Sequence, residues 1–263
     1  MSPRAFIGIK PLPHYRSDAF ADGLRKMGFQ CTRGMFKPRE GDLLLSWNLY
    51  GLLERQAQEF RNAGATVLVA ENGYLGGDAN KHMLYAMARD GHNGSGSFPV
   101  DDGEDRFTPL GVEVKPWKSE PAGHVVVAGQ RGIGTRQMAS PHGWHDRVAI
   151  EIRAKTRKQV RVRYHTGRPA VQQAEDIKQQ YLRGAYASVI WASALGVRSL
   201  VEGIPVFYSA PHWICAGAAV QGTDVTKPLM DDALRLAALK RMAHAQWTIE
   251  ELQSGEAFAR LLA

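Results

Sequence analysis

Apolar residues fall in short continuous runs separated by amphipathic segments along most of the chain. That alternation is expected of parallel strands buried on both faces and joined by crossover helices. In the first third, RAFIGI, DLLLSW and ATVLVAENG predict buried strands. Between them, Ser17–Met27 reads as a helix opened by a Ser or Asp cap, and Leu49–Asn62 as an amphipathic helix ended at Ala63-Gly64. From Asp90 to Glu120 the periodicity is lost in stretches rich in Gly, Pro and Ser, which predict loop and linker. Order resumes with the strand-to-turn sequence HVVVAGQRGIG, a helix from Gly143 to Lys158, the strand QVRVRYHTG and a helix over Ala170–Arg183. The stretch Ala187–Trp213 then reads as strand, small-residue turn, helix, tight turn and strand. His212–Val220 is a further helix candidate, and Asp231–Ala245 and Ile249–Leu262 read as closing helices.

The handedness of such crossovers predicts an α/β fold of two Rossmann-like wound domains facing a cleft, a compact arrangement. The expected domains are residues 1–118 and residues 119–263, the second including the closing helices. Ligands of wound sheets bind beyond the carboxyl ends of the strands, so loops at those ends are where chemistry is sought.

Composition narrows the partners. The chain has 263 residues, 44% of them hydrophobic, enough for two modest α/β domains or one large one. It holds no apolar run of about 18 residues, and its start lacks the long apolar segment of a secretory leader, so a cytoplasmic location without membrane insertion is expected. Cys31 and Cys215 stand alone, without metal or disulfide spacing, and read as packing residues. A net charge of +7 favours a nucleotide, a nucleic acid or an anionic membrane face as partner. Much of the excess lies in Arg147–Arg168, which is either a solvated helix face with its following strand or a phosphate-facing surface.

Four strand-end loops carry candidate chemistry. Glu71-Asn72-Gly73 offers a carboxylate for general base work and a glycine for a turn or a close substrate approach; a solvated Asx-type turn is the plain alternative. Gln130-Arg131-Gly132 has the small-residue character of a phosphate loop, with Arg131 placed to pair with a diphosphate, but matches neither the Walker loop nor the dinucleotide fingerprint. His165, beside Arg168, is either a phosphate donor or a structural histidine. Ser193, Leu195 and Gly196 open a helix whose N–H groups suit a phosphate, with Glu202 further along as a ribose acceptor or a surface charge. Trp47-Asn48 and His92-Asn93 are weaker candidates for an acceptor wall. His142 and His145 have helical spacing but no completing ligands, so no metal site is expected. The absence of Gly-x-Gly-x-x-Gly after the first strand of either half disfavours a nicotinamide enzyme.

In this order the loops resemble those of two-domain GT-B glycosyltransferases, in particular the bacterial capsule Kdo-transferase and sialyltransferase group. That group pairs an acidic-acidic-Gly loop with a His-Pro loop and a serine-bearing strand-to-helix turn. Here Glu71-Asn72-Gly73, His165-Thr166, and Ser193 with Gly203-Ile204-Pro205-Val206 stand at those places; Asn72 replaces the second acid and Thr166 the proline, so the donor need not be a CMP-sugar. The resemblance implies a nucleotide-sugar co-substrate, no tightly bound cofactor and no metal, with Glu71 as base. Donor contacts would come from Gln130, Arg131, Gly132, His165, Ser193, Leu195, Gly196 and Glu202, and acceptor contacts from Trp47, Asn48, Asn72, Gly73, His92 and Asn93. The chain is also similar to small glycosyltransferase-like proteins of bacteriophages, some with relatives that glycosylate hydroxymethylated DNA bases. Net basicity tilts the expected acceptor slightly toward such DNA and away from a cell-surface saccharide. A non-catalytic nucleotide- or nucleic-acid-binding module is the rival class.

Overall fold

The computed structural model describes residues 2–76, 84–99, 103–118, 120–165 and 180–263. The expected helix over Ala170–Arg183 therefore lies mostly outside the described residues, as do Thr166, Gly167 and Arg168. The chain divides into two compact units, Met1–Gly111 with Lys240–Ala263, and Val112–Leu239.

The first stretch supplies β1 (Arg4–Ile7), α1 (Ser17–Lys26), β2 (Gln30–Thr32), β3 (Leu43–Ser46), α2 (Leu52–Asn62), β4 (Thr66–Asn72) and β5 (Tyr85–Arg89). The second unit follows with β6 (His124–Ala128), α3 (Trp144–Lys155), β7 (Val160–Arg163), β8 (Ala185–Ile190), α4 (Ala194–Val201), β9 (Val206–Tyr208) and β10 (Val220–Gln221). Helix α5 (Asp232–His244) leads back to the first unit, where β11 (Gln246–Trp247), α6 (Ile249–Ser254) and α7 (Glu256–Leu262) complete it.

The first sheet has the order β11-β5-β4-β3-β1-β2, parallel except that β5 runs antiparallel to both β4 and β11. Alternation along β4 explains why both faces are covered. Leu68 and Ala70 join a core with Phe20, Leu24, Leu252 and Phe258, while Val67 and Val69 join another with Ala57 and Phe60 of α2. The second sheet, β10-β9-β8-β6-β7, is parallel throughout. Val125 and Val127 of β6 pack with Trp144, Val148 and Ile152 of α3.

The sequence expectations need four corrections. Helix α1 is opened by neither a Ser nor an Asp cap: Arg16 occupies the cap position at φ 44°, the Ser17 hydroxyl accepts from Arg33, and Asp18 pairs with Arg16. Over His212–Val220 the chain makes only a 3₁₀ turn, Ala216–Ala218, before β10, because Val220 pairs with Phe207. Ile249–Leu262 is two helices, since Gly255 adopts φ 91° between them. Finally, the closing helices α6 and α7 group with residues 1–111, where Leu252, Phe258 and Leu261 enter the core against α1.

Candidate functional site

In the second unit the chain leaves β6 toward β7 on one side and toward β8 on the other, so the strand order reverses beside β6. Wound sheets hold their ligands at this point, beyond the carboxyl ends. Gln130, two residues past β6, accepts a hydrogen bond at Oε1 from the Ala192 N–H at 2.7 Å, which ties the loop after β6 to the loop after β8. Ser193 is the N-cap of α4, with its hydroxyl accepting from the Leu195 N–H at 3.2 Å. The Gly196 N–H goes to the Ser193 carbonyl at 3.0 Å. Two of the first-turn donors are thus already used inside the turn, which moves the task of holding an anion toward side chains around it. Gly196 itself serves packing: an added Cβ would lie 2.5 Å from Ile190 Cδ1 and 2.8 Å from the Trp213 ring. Gly132 adopts φ 66° and so makes the turn that leaves Arg131 exposed.

Those side chains are cationic. Arg163 ends β7 directly beside Ala128, and its Nε is enclosed without a hydrogen-bond partner among the described residues. Burial holds its guanidinium below the ordinary arginine range. His165 follows, and partial desolvation of its ring, then the charges of Arg131 and Arg163, hold it below the usual imidazole value. An anion arriving here would relieve all three groups at once. Close packing beneath them depends on Gly129, where a Cβ would meet the Arg163 carbonyl at 3.1 Å and the His145 ring at 3.3 Å. His145 stacks edge-on against Tyr164 at 5.2 Å. Among the described residues no group of three or more His, Cys, Asp or Glu side chains is arranged to hold a metal.

The first unit presents a carboxylate instead. Glu71, near the end of β4, accepts at Oε1 from the Tyr74 hydroxyl and from the Asn93 N–H, the latter at 2.9 Å. Both donors are neutral, so they aim the carboxylate without adding charge, and Oε2 has no partner among the described residues. Asn93 is buried at φ 53°, and its side chain accepts from Gly94 at 2.7 Å, which fixes the turn. The Nδ1 of His92, next to it, is enclosed and has no partner among the described residues. Gly73 allows a close approach to Leu84, since a Cβ would lie 2.8 Å from the Leu84 carbonyl oxygen; its N–H also donates there at 2.7 Å. Asn72 pairs with Tyr85, and Trp47 lies edge-on to Tyr85 at 6.1 Å and against Tyr15 at 4.6 Å, so these residues form one aromatic-sided region. The Asn48 carbonyl accepts from the Ser46 hydroxyl at 2.7 Å. A cavity of about 900 Å³ lies at the ends of β1 and β2 beside the first turns of α1, with Arg16, Arg33 and Asp18 in its wall.

Within the second unit Gln130 is tied to the loop that leads to Ser193, and His165 feels the charges of Arg131 and Arg163, whereas Glu202 lies apart from them. Glu202 sits past the far end of α4 from Ser193, in an ion cluster with Lys115 at 2.7 Å, Arg198 at 3.2 Å and Lys118 at 3.5 Å. A crossover helix runs back along the sheet, so a residue at its end lies at the amino ends of the strands, away from the Ser193 turn. Sequence reading missed Arg163 and Gln246. Arg163 was absorbed in a basic strand, although its place two residues before His165 was a usable signal. Gln246 is buried and clamps the loop after Glu71: Oε1 accepts from Tyr74 at 2.9 Å and Leu75 at 3.1 Å, and Nε2 donates to the Leu75 carbonyl at 2.7 Å. It lies 171 residues from Leu75 in the chain, beyond the reach of any local pattern.

No protein-family model and no curated protein matches the chain. Solved structures do. The chain matches the β-Kdo 2,7 transferase of Thermosulfurimonas dismutans KpsC at 13% identity and a TM-score of 0.57, covering 99% of this chain and 100% of that one. It also matches the β-Kdo 2,4 transferase of the same protein at 13% identity and a TM-score of 0.60, covering 93% of this chain and 90% of that one. The expected fold class is thus the observed one: two parallel-rich α/β units, in a chain whose fold matches that of these Kdo transferases.

Proposed function

We propose that the protein is a glycosyltransferase that moves a sugar from a nucleotide-sugar donor to a hydroxyl of a saccharide acceptor. The observation that carries this reading is the likeness in fold, over nearly the whole chain, to two Kdo transferases. The two site regions supply complementary parts. Glu71 takes the proton of the acceptor hydroxyl as its oxygen attacks the anomeric carbon, and the bond from that carbon to the donor phosphate breaks. The departing phosphate gathers negative charge, which Arg131, Arg163 and His165 stabilise with a hydrogen bond from the Ser193 hydroxyl. A saccharide acceptor fits the structural neighbours better than a DNA base, and the net basicity that favoured DNA lies partly in the Glu202 cluster, apart from the phosphate turn.

The test is incubation with a panel of nucleotide sugars, CMP-Kdo among them, and oligosaccharide acceptors, with products read by mass spectrometry. Glu71→Gln is expected to lower kcat by about 10²–10⁴ while leaving donor affinity unchanged. Retained turnover in that variant removes Glu71 as the base. Tight nucleotide binding without turnover of any donor favours the non-catalytic module.

A further inference from the structure

At the opposite end of the second unit from the phosphate turn, a concavity of about 490 Å³ is walled by Lys115, Lys118, Arg183 and Arg198 around Glu202. Three of these cations share one carboxylate, at 2.7, 3.2 and 3.5 Å. Arg183 is exposed and makes no ion pair among the described residues. Among the described residues the lining therefore carries four cations against a single carboxylate, a surplus of three positive charges in a half-enclosed space. Glu202 is the least exposed of the ion-paired groups, at 12%; burial alone would raise its carboxyl, but Lys115, Arg198 and Lys118 together hold it below the usual carboxylate range. It is ionised, and its charge is already over-compensated.

The backbone keeps these cations together. Lys115 and Lys118 lie on a strap whose N–H groups donate to the carbonyls of Val201 at 2.8 Å and Gly203 at 2.7 Å. Gly203, at φ 75°, makes this contact possible, since a Cβ there would lie 2.0 Å from the Pro116 carbonyl. Arg235 of α5 donates to the Lys115 carbonyl at 3.0 Å and stacks over Trp117 at 4.0 Å. Fixed like charges in a concavity repel one another, and a multivalent anion with acceptor oxygens relieves that repulsion. Two guanidinium forks and two ammonium groups suit phosphate oxygens, and the volume lies in the range of small-ligand pockets.

We infer that this concavity is a second anion site, separate from the proposed donor site, that binds a phosphate-bearing ligand with two or more negative charges. Either a free phosphorylated molecule or a lipid headgroup supplies that chemistry, and the test has an arm for each. In the first, inorganic pyrophosphate is titrated calorimetrically into the full chain. Arg163→Gln, which disables the other phosphate end, is expected to leave one binding event. In that background, Lys118→Glu with Arg183→Glu weakens it by at least about tenfold, and Glu202→Gln tightens it about threefold or more. The tightening cannot come from unfolding, so a poorly folded double variant does not spoil the test. In the second arm, flotation with cardiolipin-containing vesicles, whose headgroup carries two phosphates, against phosphatidylcholine controls, is compared between the wild type and the Lys118/Arg183 variant. Pyrophosphate binding with these shifts identifies a free ligand. Flotation lost in the double variant, without pyrophosphate binding, identifies a headgroup. Absence of both in the wild type, or no response of either to the variants, overturns the site.

Discussion

The two units wind their strands in the same order, the second strand beside the first and then the third and fourth, yet they set opposite charges at their carboxyl ends. In the first unit a carboxylate is held by a phenol and a backbone N–H; in the second, Arg131, Arg163 and His165 gather, with a buried guanidinium nitrogen that has no partner among the described residues. The contrast matches what each side would do in the proposed sugar transfer. A base needs orientation without a neutralising cation, and a leaving phosphate needs positive charge already in place. The scaffold differs as well. The second sheet is wholly parallel, whereas antiparallel β5 in the first places a short return segment so that Asn93 reaches Glu71.

The comparison can be broken most forcefully at the glycines that let each unit close. Gly203→Ala is expected to cost about 3–4 kcal/mol, because it adds left-handed strain to a collision with the Pro116 carbonyl. Gly23→Ala, in the first unit, meets the Leu252 carbonyl at 1.9 Å but gains about 1 kcal/mol of helix propensity, so a loss nearer 2 kcal/mol is expected. Denaturant midpoints would rank the two, and a larger loss for Gly23→Ala would reverse the account. Arg163→Gln should weaken nucleotide-donor binding by about 10–100-fold with no loss of stability, since a desolvated cation is removed. Thermal melts alongside donor titration separate that outcome from a structural role.

The smallest expected effect is in pH dependence. His165 lies below its ordinary value, so below about pH 6.5 its unfolded form binds more protons than the folded one, and its contribution to stability falls as pH falls. A bound phosphate favours the imidazolium and raises that value, so binding takes up a proton. Donor affinity should therefore rise, by less than about tenfold, as pH drops from about 7.5 to about 6, and His165→Gln should flatten the curve. A curve that falls over that interval would remove His165 from the phosphate region.

Much of this was legible beforehand where one periodicity decided it. The runs at 43–46, 66–72, 124–128 and 185–190 are apolar enough to be strands in any compact context, and α2 between the first two carries a clear amphipathic face. The short strands were not. Tyr85–Arg89 has no β-branched residue, and Gln246–Trp247 is two residues long; both are strands because each finds a partner edge. In the same way, Glu71, Arg131, His165 and Ser193 could be named from strand ends alone, while Glu202 could not be placed until the direction of its helix was known.

The sequence by itself determined the wound α/β fold and which loops stand at its strand ends, because burial of both sheet faces imposes a local pattern on every strand and crossover. Tertiary structure alone decided that Gln246 supports the loop after Glu71, that Arg163 is partly buried near His165, and that Glu202 joins Lys115 and Lys118. These depend on contacts between segments distant in the chain, whose energies come from desolvation and charge at short range, and no local pattern encodes them.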